Sequence, residues 1–258
     1  MKNAIRSLAM PRGLSLRIIA VLLAVITAMA AASGAAQAAG PSQDWKFTIA
    51  PYLWYSSLEG DMTVKGRDAE VDLGASDILH HMDLGAMARF AARKGNWGLT
   101  GDAIWVDIHA ESDAPSADVD QRQGIFTLQG VRRLSDIADL TFGARYTRLE
   151  AEVDFDAPLG AKVSGTRDWI EPIVGIVLRT PGEGRWHAML AADIGGFGIG
   201  SDFAWQAFPS VGFDMAKWAS LEMGYRFLST DYETGEGSDR FTYDILYQGP
   251  LLGVAFRF

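Results

Sequence analysis

Cysteine is absent from this chain of 258 residues, which excludes a disulfide framework, a thiolate metal site and a cysteine nucleophile. Histidine is scarce, and no recognisable hydrolase motif ties a serine to any of the four, which are His80, His81, His109 and His187. After residue 32 no uncharged apolar stretch approaches the roughly 18 residues of a membrane-spanning helix. Cysteine chemistry and helical spans of the mature chain are therefore excluded.

The first forty residues have the three parts of a secretory signal peptide. Four basic residues precede an uncharged run over 18–32, and small residues follow it. Because Ala36 and Ala38 fit the small-x-small rule, we predict a cleaved signal peptide over 1–38 and one mature domain over 39–258. A retained signal anchor is the alternative, and a start at Met10 would also leave an ordinary signal peptide.

The chain is acidic, with a formal net charge of -9 at pH 7. Loss of residues 1–38 would make it more acidic, because the charged residues of that segment are all basic. An acidic exported chain is a poor candidate for nucleic-acid binding, so we expect no nucleic-acid partner. No pattern in the sequence indicates a cofactor.

The last ten residues, GPLLGVAFRF, alternate with a period of two. Large apolar residues occupy one set of alternate positions, and mostly small residues with one arginine occupy the other set. This is typical of a strand with unlike faces, and we call the set to which a residue belongs its parity. The same alternation occurs over 139–150, 185–197 and 218–231, where the second face mixes polar, charged and small residues. Such a face suits the lumen of a β-barrel better than open solvent.

Ten extended segments follow the signal peptide, and the connections between them alternate in length. Short turns such as KGNW and LSDIA alternate with longer acidic connections such as ESDAPSADVDQ, DFDAPLGAKVSG and YETGEGSD. This layout predicts an all-β, transmembrane, antiparallel up-and-down β-barrel of ten strands, with 8 or 12 as alternatives because 59–73 could join the wall. The predicted strands are 45–55, 84–94, 97–109, 121–133, 138–152, 167–179, 185–198, 203–215, 218–231 and 241–258.

Tryptophans are placed as in a membrane barrel. Trp97 and Trp105 share a face and are separated along the membrane normal by roughly 20 Å, close to the height of the apolar band of such barrels. Trp186 and Trp218 adjoin short turns. We therefore predict that Trp97, Trp105, Trp186 and Trp218 belong to the membrane girdles.

Several motifs occur in order along the chain: PYLW, KGNWGLTGDAIW, WIEPIVG, GGFGIGSD, GYRFL and GPLLGVAFRF. Together they resemble a family of uncharacterised Gram-negative outer-membrane β-barrel proteins, over about residues 45–258. The resemblance implies an outer-membrane location, and it supplies no catalytic residues to carry over to this sequence. The terminal strand also resembles the signal that barrel-assembly machinery reads, which would assign that role to Phe258, Phe256 and Val254.

Charged residues of the inward parity are numerous for a narrow barrel. We predict that they form a polar network in the lumen, made of Arg89, Asp102, Arg145, Glu171, Asp193, Glu222 and Arg226. Such charges must pair or hold water. A network that plugs the pore, a narrow polar conduit and a ligand pocket all remain open.

Two other patterns could carry chemistry. Asp107 and His109 resemble the Asp/His half of the omptin protease site, but parity turns Asp107 outward. The nearest candidate for the second aspartate pair of such a site is Asp118 with Asp120. GGFGIGSD lacks the following helix of a phosphate loop, so it predicts a tight turn. SDILHHM could form a short helix after residue 73.

The sequence therefore favours a structural or narrow-pore component of the outer membrane without catalytic residues, cofactor or metal. A hydrolase acting on peptide or lipid at the rim or in the lumen, and a surface ligand-binding or adhesion barrel, are the alternatives. The acidic connections, around Asp113, Asp120, Glu150 and Asp239, would meet lipopolysaccharide phosphates. We expect divalent cations to bridge the two.

Overall fold

A computed structural model describes residues 44–64, 67–74, 82–113, 116–155, 162–181 and 184–258. The predicted signal peptide and residues 76–81 of SDILHHM lie outside these ranges, whereas Met82, the last residue of that predicted helix, begins a strand. The described residues form twelve strands: β1 Lys46–Trp54, β2 Ser57–Val64, β3 Arg67–Leu73, β4 Met82–Lys94, β5 Trp97–Asp113, β6 Ser116–Arg133, β7 Ala138–Phe155, β8 Lys162–Arg179, β9 Trp186–Ile199, β10 Ser201–Ala216, β11 Ala219–Thr234 and β12 Phe241–Arg257. No helix among the described residues is long and apolar enough to cross a membrane.

Ten of these strands close a ring. From β4 to β12 each strand pairs antiparallel with the next, and β1 pairs with both β4 and β12. The predicted ten-stranded, all-β, antiparallel barrel is therefore confirmed. One end carries the short turns that follow β4, β6, β8 and β10, and we call it the short-turn end. The opposite end is called the rim.

A hairpin of β2 and β3 extends the sheet at the rim without entering the ring. β2 continues the register of β1 along β12, since Trp54 lies opposite Leu251 and Ser57 opposite Gln248. β3 pairs with β2 from Arg67 to Leu73. The region 59–73 thus joins the sheet, but it does not convert the ring to twelve strands.

The strands extend further towards the rim than their composition predicts. The β5–β6 ladder continues to the pair Asp113 and Ser116, and the β7–β8 ladder to Asp154 and Lys162. Parts of the segments that we expected to be long polar loops are therefore paired strand. A ladder keeps its backbone hydrogen bonds whatever side chains it carries, so a polar composition does not prevent pairing.

The outer face of the barrel has a continuous apolar belt. No charged side chain faces outward along four sampled stretches spaced around the ring, which are Trp97–Trp105 on β5, Ala138–Tyr146 on β7, Trp186–Ile194 on β9 and Ala219–Phe227 on β11. Many of these outward side chains are exposed, among them Leu99, Phe142, Ile194 and Met223. Charged residues resume immediately on the rim side, with Asp107, Arg148, Asp168 and Asp231. The belt is thus about nine residues tall on each strand, the height of the apolar band of a membrane barrel.

Candidate functional site in the lumen

The inward positions near mid-height hold a network of hydrogen-bonded ion pairs. Arg226 on β11 reaches across the lumen, and its Nη1 lies 3.0 Å from Tyr52 Oη and 3.3 Å from both carboxylate oxygens of Asp102. Tyr52 donates to Asp102 at 2.7 Å, and Arg89 Nε donates to the same carboxylate at 2.7 Å. Asp102 therefore joins β1, β4, β5 and β11 through one side chain.

Arg145 organises the other half of this network. Its Nη1 donates to Glu171 at 3.2 Å and its Nη2 to Asp193 at 2.6 Å. Gln206 joins the two halves, because it donates to Asp193 at 3.0 Å and accepts from Arg226 Nε at 2.9 Å. Ser201 closes the far end by donating to Glu171.

This central network is balanced in charge, and most of its charged groups are buried. The guanidinium groups of Arg89, Arg145 and Arg226 face the carboxylates of Asp102, Asp193 and Glu171. Arg145 and Glu171 are 0% exposed, and Arg226 is 1% exposed. A buried ion pair is tolerated only when its polar atoms are satisfied, and here Arg145 Nε is the one unpartnered buried atom of the network among the described residues. The lumen is therefore blocked at this level.

Glu222, which we predicted as part of the same network, lies in a separate cluster at the short-turn end. It accepts from His187 Nε2 at 3.0 Å and from Ser220 at 2.5 Å. Arg257 donates to Ser220 at 3.0 Å and to Asp214 at 2.6 Å. On the opposite wall Asp139, which is 0% exposed, pairs with Arg93 at 2.6 Å and with Arg179. Alternation could have identified Asp139, because it has the inward parity of β7.

Above the central network the lumen is filled by apolar and aromatic side chains. Trp169 on β8 stacks on Tyr232 of β11, with ring centroids 4.4 Å apart. Tyr243 and Tyr247 of β12 hydrogen-bond each other, and both bond Gln123 of β6. Further buried members of this cap are Leu58, Ile104, Ile125, Leu149, Leu228 and Ile245. The rim half of the lumen is thus a packed core.

Below the central network, towards the short-turn end, lies a cavity of about 290 Å³. Its ceiling includes Arg89, Asp102 and Arg226, and its outer end includes Arg93, His187 and Arg257. The wall between them combines hydroxyl groups with apolar side chains, among them Thr48, Thr100, Val131, Met189, Phe208 and Ser210. Sequence alternation placed many of these residues inside but gave no indication of an open space.

The remaining predicted residues lie on the outer face. Trp97, Trp186 and Trp218 are exposed at the short-turn edge of the belt, and Trp105 lies at its rim edge. Phe258 is 75% exposed, and its backbone exchanges hydrogen bonds of 2.9 and 3.1 Å with Phe47. Val254 and Phe256 share its outward face. The roles proposed for these residues in the girdles and in assembly stay predictions.

The structure places the candidate catalytic groups only in part: in the β5–β6 ladder His109 lies opposite Asp120. Asp107 faces outward and pairs with Arg122 at 3.0 Å, while the side chains of His109, Asp118 and Asp120 lie outside the described part. GGFGIGSD forms the turn between β9 and β10, with positive φ at Gly196, Phe197, Gly198 and Gly200. Among the described side chains no group of three potential ligands could hold a metal ion. The cation bridging expected of the acidic connections stays a prediction.

No family model and no curated protein matches the chain. Among solved structures, the outer-membrane protease OmpT of Escherichia coli is 7% identical with a TM-score of 0.43, covering 86% of this chain and 99% of OmpT. The attachment invasion locus protein Ail of Yersinia pestis is 11% identical with a TM-score of 0.39, covering 84% and 99%. Neisserial surface protein A is 12% identical with a TM-score of 0.34, covering 85% and 100%. Similarity at this level is confined to the barrel architecture.

Proposed function

We propose that this protein is a non-conducting structural barrel of the bacterial outer membrane. The observation that carries the proposal is the cross-lumen network, in which Arg226 on β11 reaches Asp102 on β5 while Arg145 holds Glu171 and Asp193. The network links every strand of the ring except β6 and β12. The guanidinium groups of Arg145 and Arg226 have almost no exposure, which supports a lumen closed to hydrated ions.

The apolar belt supports the location. Its height matches the hydrocarbon region of an outer membrane, and exposed aromatic side chains lie at both edges. The short-turn end would face the periplasm and the charged rim would face outward, as is usual for these barrels. The predicted signal peptide supports export to this membrane.

The alternative of a narrow pore makes the opposite prediction for conductance. We expect the folded protein to give no stable conductance steps in planar lipid bilayers. A triple variant, Tyr243→Ala with Tyr247→Ala and Arg226→Ala, removes large side chains from the cap and the network and is expected to conduct. The control Arg122→Ala changes an exposed arginine on the outer face, and it should give no conductance steps.

Folding is verified separately, because an unfolded protein would also give no conductance steps. Folded membrane barrels migrate differently on gels before and after boiling, and all three proteins should show this shift. Stable conductance steps of equal size in the parent and in Arg122→Ala would overturn the proposal.

A further inference from the structure

We infer that the cavity at the short-turn end is a binding site for a small organic carboxylate, anchored by Arg89. The inference does not depend on whether the lumen conducts. It rests on the unused hydrogen-bonding capacity of Arg89, the local charge of the ceiling, and the apolar wall beside it.

Arg89 uses only part of its guanidinium group within the protein. Its Nε donates to Asp102 at 2.7 Å, whereas its two Nη groups have no hydrogen-bond partner among the described residues. The side chain is 25% exposed and lines the cavity. Its plane lies over the ring of Phe208, with Cζ 4.2 Å from the centroid. The guanidinium group is therefore held in place beside the cavity with both Nη groups unpaired among the described residues, and such a pair of donors can bind a carboxylate through two parallel hydrogen bonds.

The charged residues that line the cavity, apart from His187, are four arginines, Arg89, Arg93, Arg226 and Arg257, and three acids, Asp102, Asp193 and Glu222. Arg89 and Arg226 share the single carboxylate of Asp102. Asp193, the other acid of the ceiling, is already bound by Arg145 at 2.6 Å and Gln206 at 3.0 Å. An anion beside Arg89 would complete a second pair, whereas a cation would meet two guanidinium groups.

The wall favours a ligand with a short apolar tail. Val131, Leu251 and Phe208 are buried around the cavity, and Met189 adjoins them. The volume of about 290 Å³ is at the lower limit of ligand pockets, which span about 300 to 1,000 Å³. Arg93 and Arg257 are 33% and 35% exposed where the cavity meets solvent. A monocarboxylate with a small alkyl or aryl group fits this combination of size and chemistry.

Benzoate is a suitable probe, with benzyl alcohol and benzylamine as neutral and cationic counterparts of similar size. Binding to the folded protein in lipid nanodiscs is measured by titration calorimetry and by saturation-transfer NMR. We expect saturable binding of benzoate, at least tenfold tighter than that of benzyl alcohol, and no binding of benzylamine.

Three variants locate the binding. Arg89→Gln removes the anchor and should weaken benzoate binding at least tenfold. Ala91→Phe fills the cavity from the same strand while leaving Arg89 intact, and should also abolish binding. Arg122→Gln makes the same change of charge on the outer face and should bind like the parent.

The gel shift on boiling verifies that each variant is folded. If Arg89→Gln shows no gel shift, the location of the benzoate site is decided by Ala91→Phe alone. Absence of saturable benzoate binding to the parent, equal affinity for benzyl alcohol, or unchanged binding in a folded Arg89→Gln or Ala91→Phe variant would overturn the inference.

Discussion

Arg145 and Asp193 form an ion pair of 2.6 Å in the middle of the lumen, although the whole of β8 separates their strands in the wall. Glu171 on that intervening strand pairs with the same guanidinium group at 3.2 Å. Three consecutive strands are thus held together by one arginine that has no contact with water. Such a residue contributes to stability mainly by preventing two buried carboxylates from being left without a cation.

Replacing Arg145 should therefore be severe. We expect Arg145→Met to lower the free energy of unfolding by about 3–5 kcal/mol, because Glu171 and Asp193 would lose their shared partner in a buried site. Urea unfolding in phospholipid vesicles, followed by tryptophan fluorescence, measures this loss. Arg148→Met is the matched control, because Arg148 pairs with Glu150 on the outer face beyond the belt, and it should leave the free energy unchanged. Similar losses in the two variants would contradict the assigned role.

Much of this fold could be predicted from the period of two in the sequence. The parity of Phe256 and Phe258 against Arg257 indicated which face of β12 points outward, and the structure places Arg257 inside. The strand ends at the rim could not be predicted, since residues such as Asp113 and Ser116 pair across strands despite a polar composition. Composition reports exposure to water, whereas pairing depends on the neighbouring strand.

The candidate site was predictable only in part. Parity placed Asp102 and Arg226 inside, but they lie 124 positions apart in sequence, and their contact depends on the closure of the ring. Parity also could not distinguish a polar lumen from a packed one. Ile104, for example, is an apolar residue that faces inward from β5, as the charged Asp102 does. The two differ because Ile104 belongs to the apolar cap in the rim half of the lumen.

Gly143 allows two wall strands to approach closely. A Cβ atom at this position would lie 1.9 Å from Leu128 O and 2.7 Å from Gln129 Cα of the neighbouring strand. Because these are backbone atoms, no side-chain rotation relieves the clash, and we expect Gly143→Ala to cost about 1–3 kcal/mol. Gly165→Ala is the control, because a Cβ there would contact nothing within 4 Å. The same vesicle unfolding assay applies, and a neutral Gly143→Ala would mean that the strands separate readily.

The end of β12 gives a prediction for assembly. Phe258→Asp should reduce the amount of folded protein in the outer membrane strongly, since it removes an exposed aromatic side chain from the strand that closes the ring and from the predicted assembly signal. A charge on the lipid-facing side near the edge of the belt costs only about 0–1 kcal/mol, so failed assembly should dominate over destabilisation. Leu134→Asp introduces the same charge at an exposed position of a short turn. Quantifying heat-modifiable protein in outer-membrane fractions compares the two, and equal amounts would refute an assembly role for Phe258.

Three aspartates form a row on the outer face just beyond the belt, where Asp231, Asp244 and Asp61 lie opposite one another on β11, β12 and β2. Partial burial raises the pKa of Asp244, and the charge of Asp61 raises it further. Partial burial likewise raises the pKa of Asp231, with Asp244 as the first of its charged neighbours.

The folded protein should therefore bind protons at this row more readily than the unfolded chain does. The contribution of the row to the free energy of unfolding should increase as the pH falls from neutrality through the raised pKa values, because the folded protein takes up the protons first. When the pH is raised again, the carboxylates ionise and this free energy should decrease. Asp244→Asn removes the central charge, so we expect it to stabilise the protein at neutral pH and to reduce this dependence on pH. Asp168→Asn, an exposed site on β8 away from the row, should leave the dependence unchanged. Unfolding measured from neutral to mildly acidic pH distinguishes the variants, and parallel profiles for the parent and Asp244→Asn would show that the row does not destabilise the folded barrel.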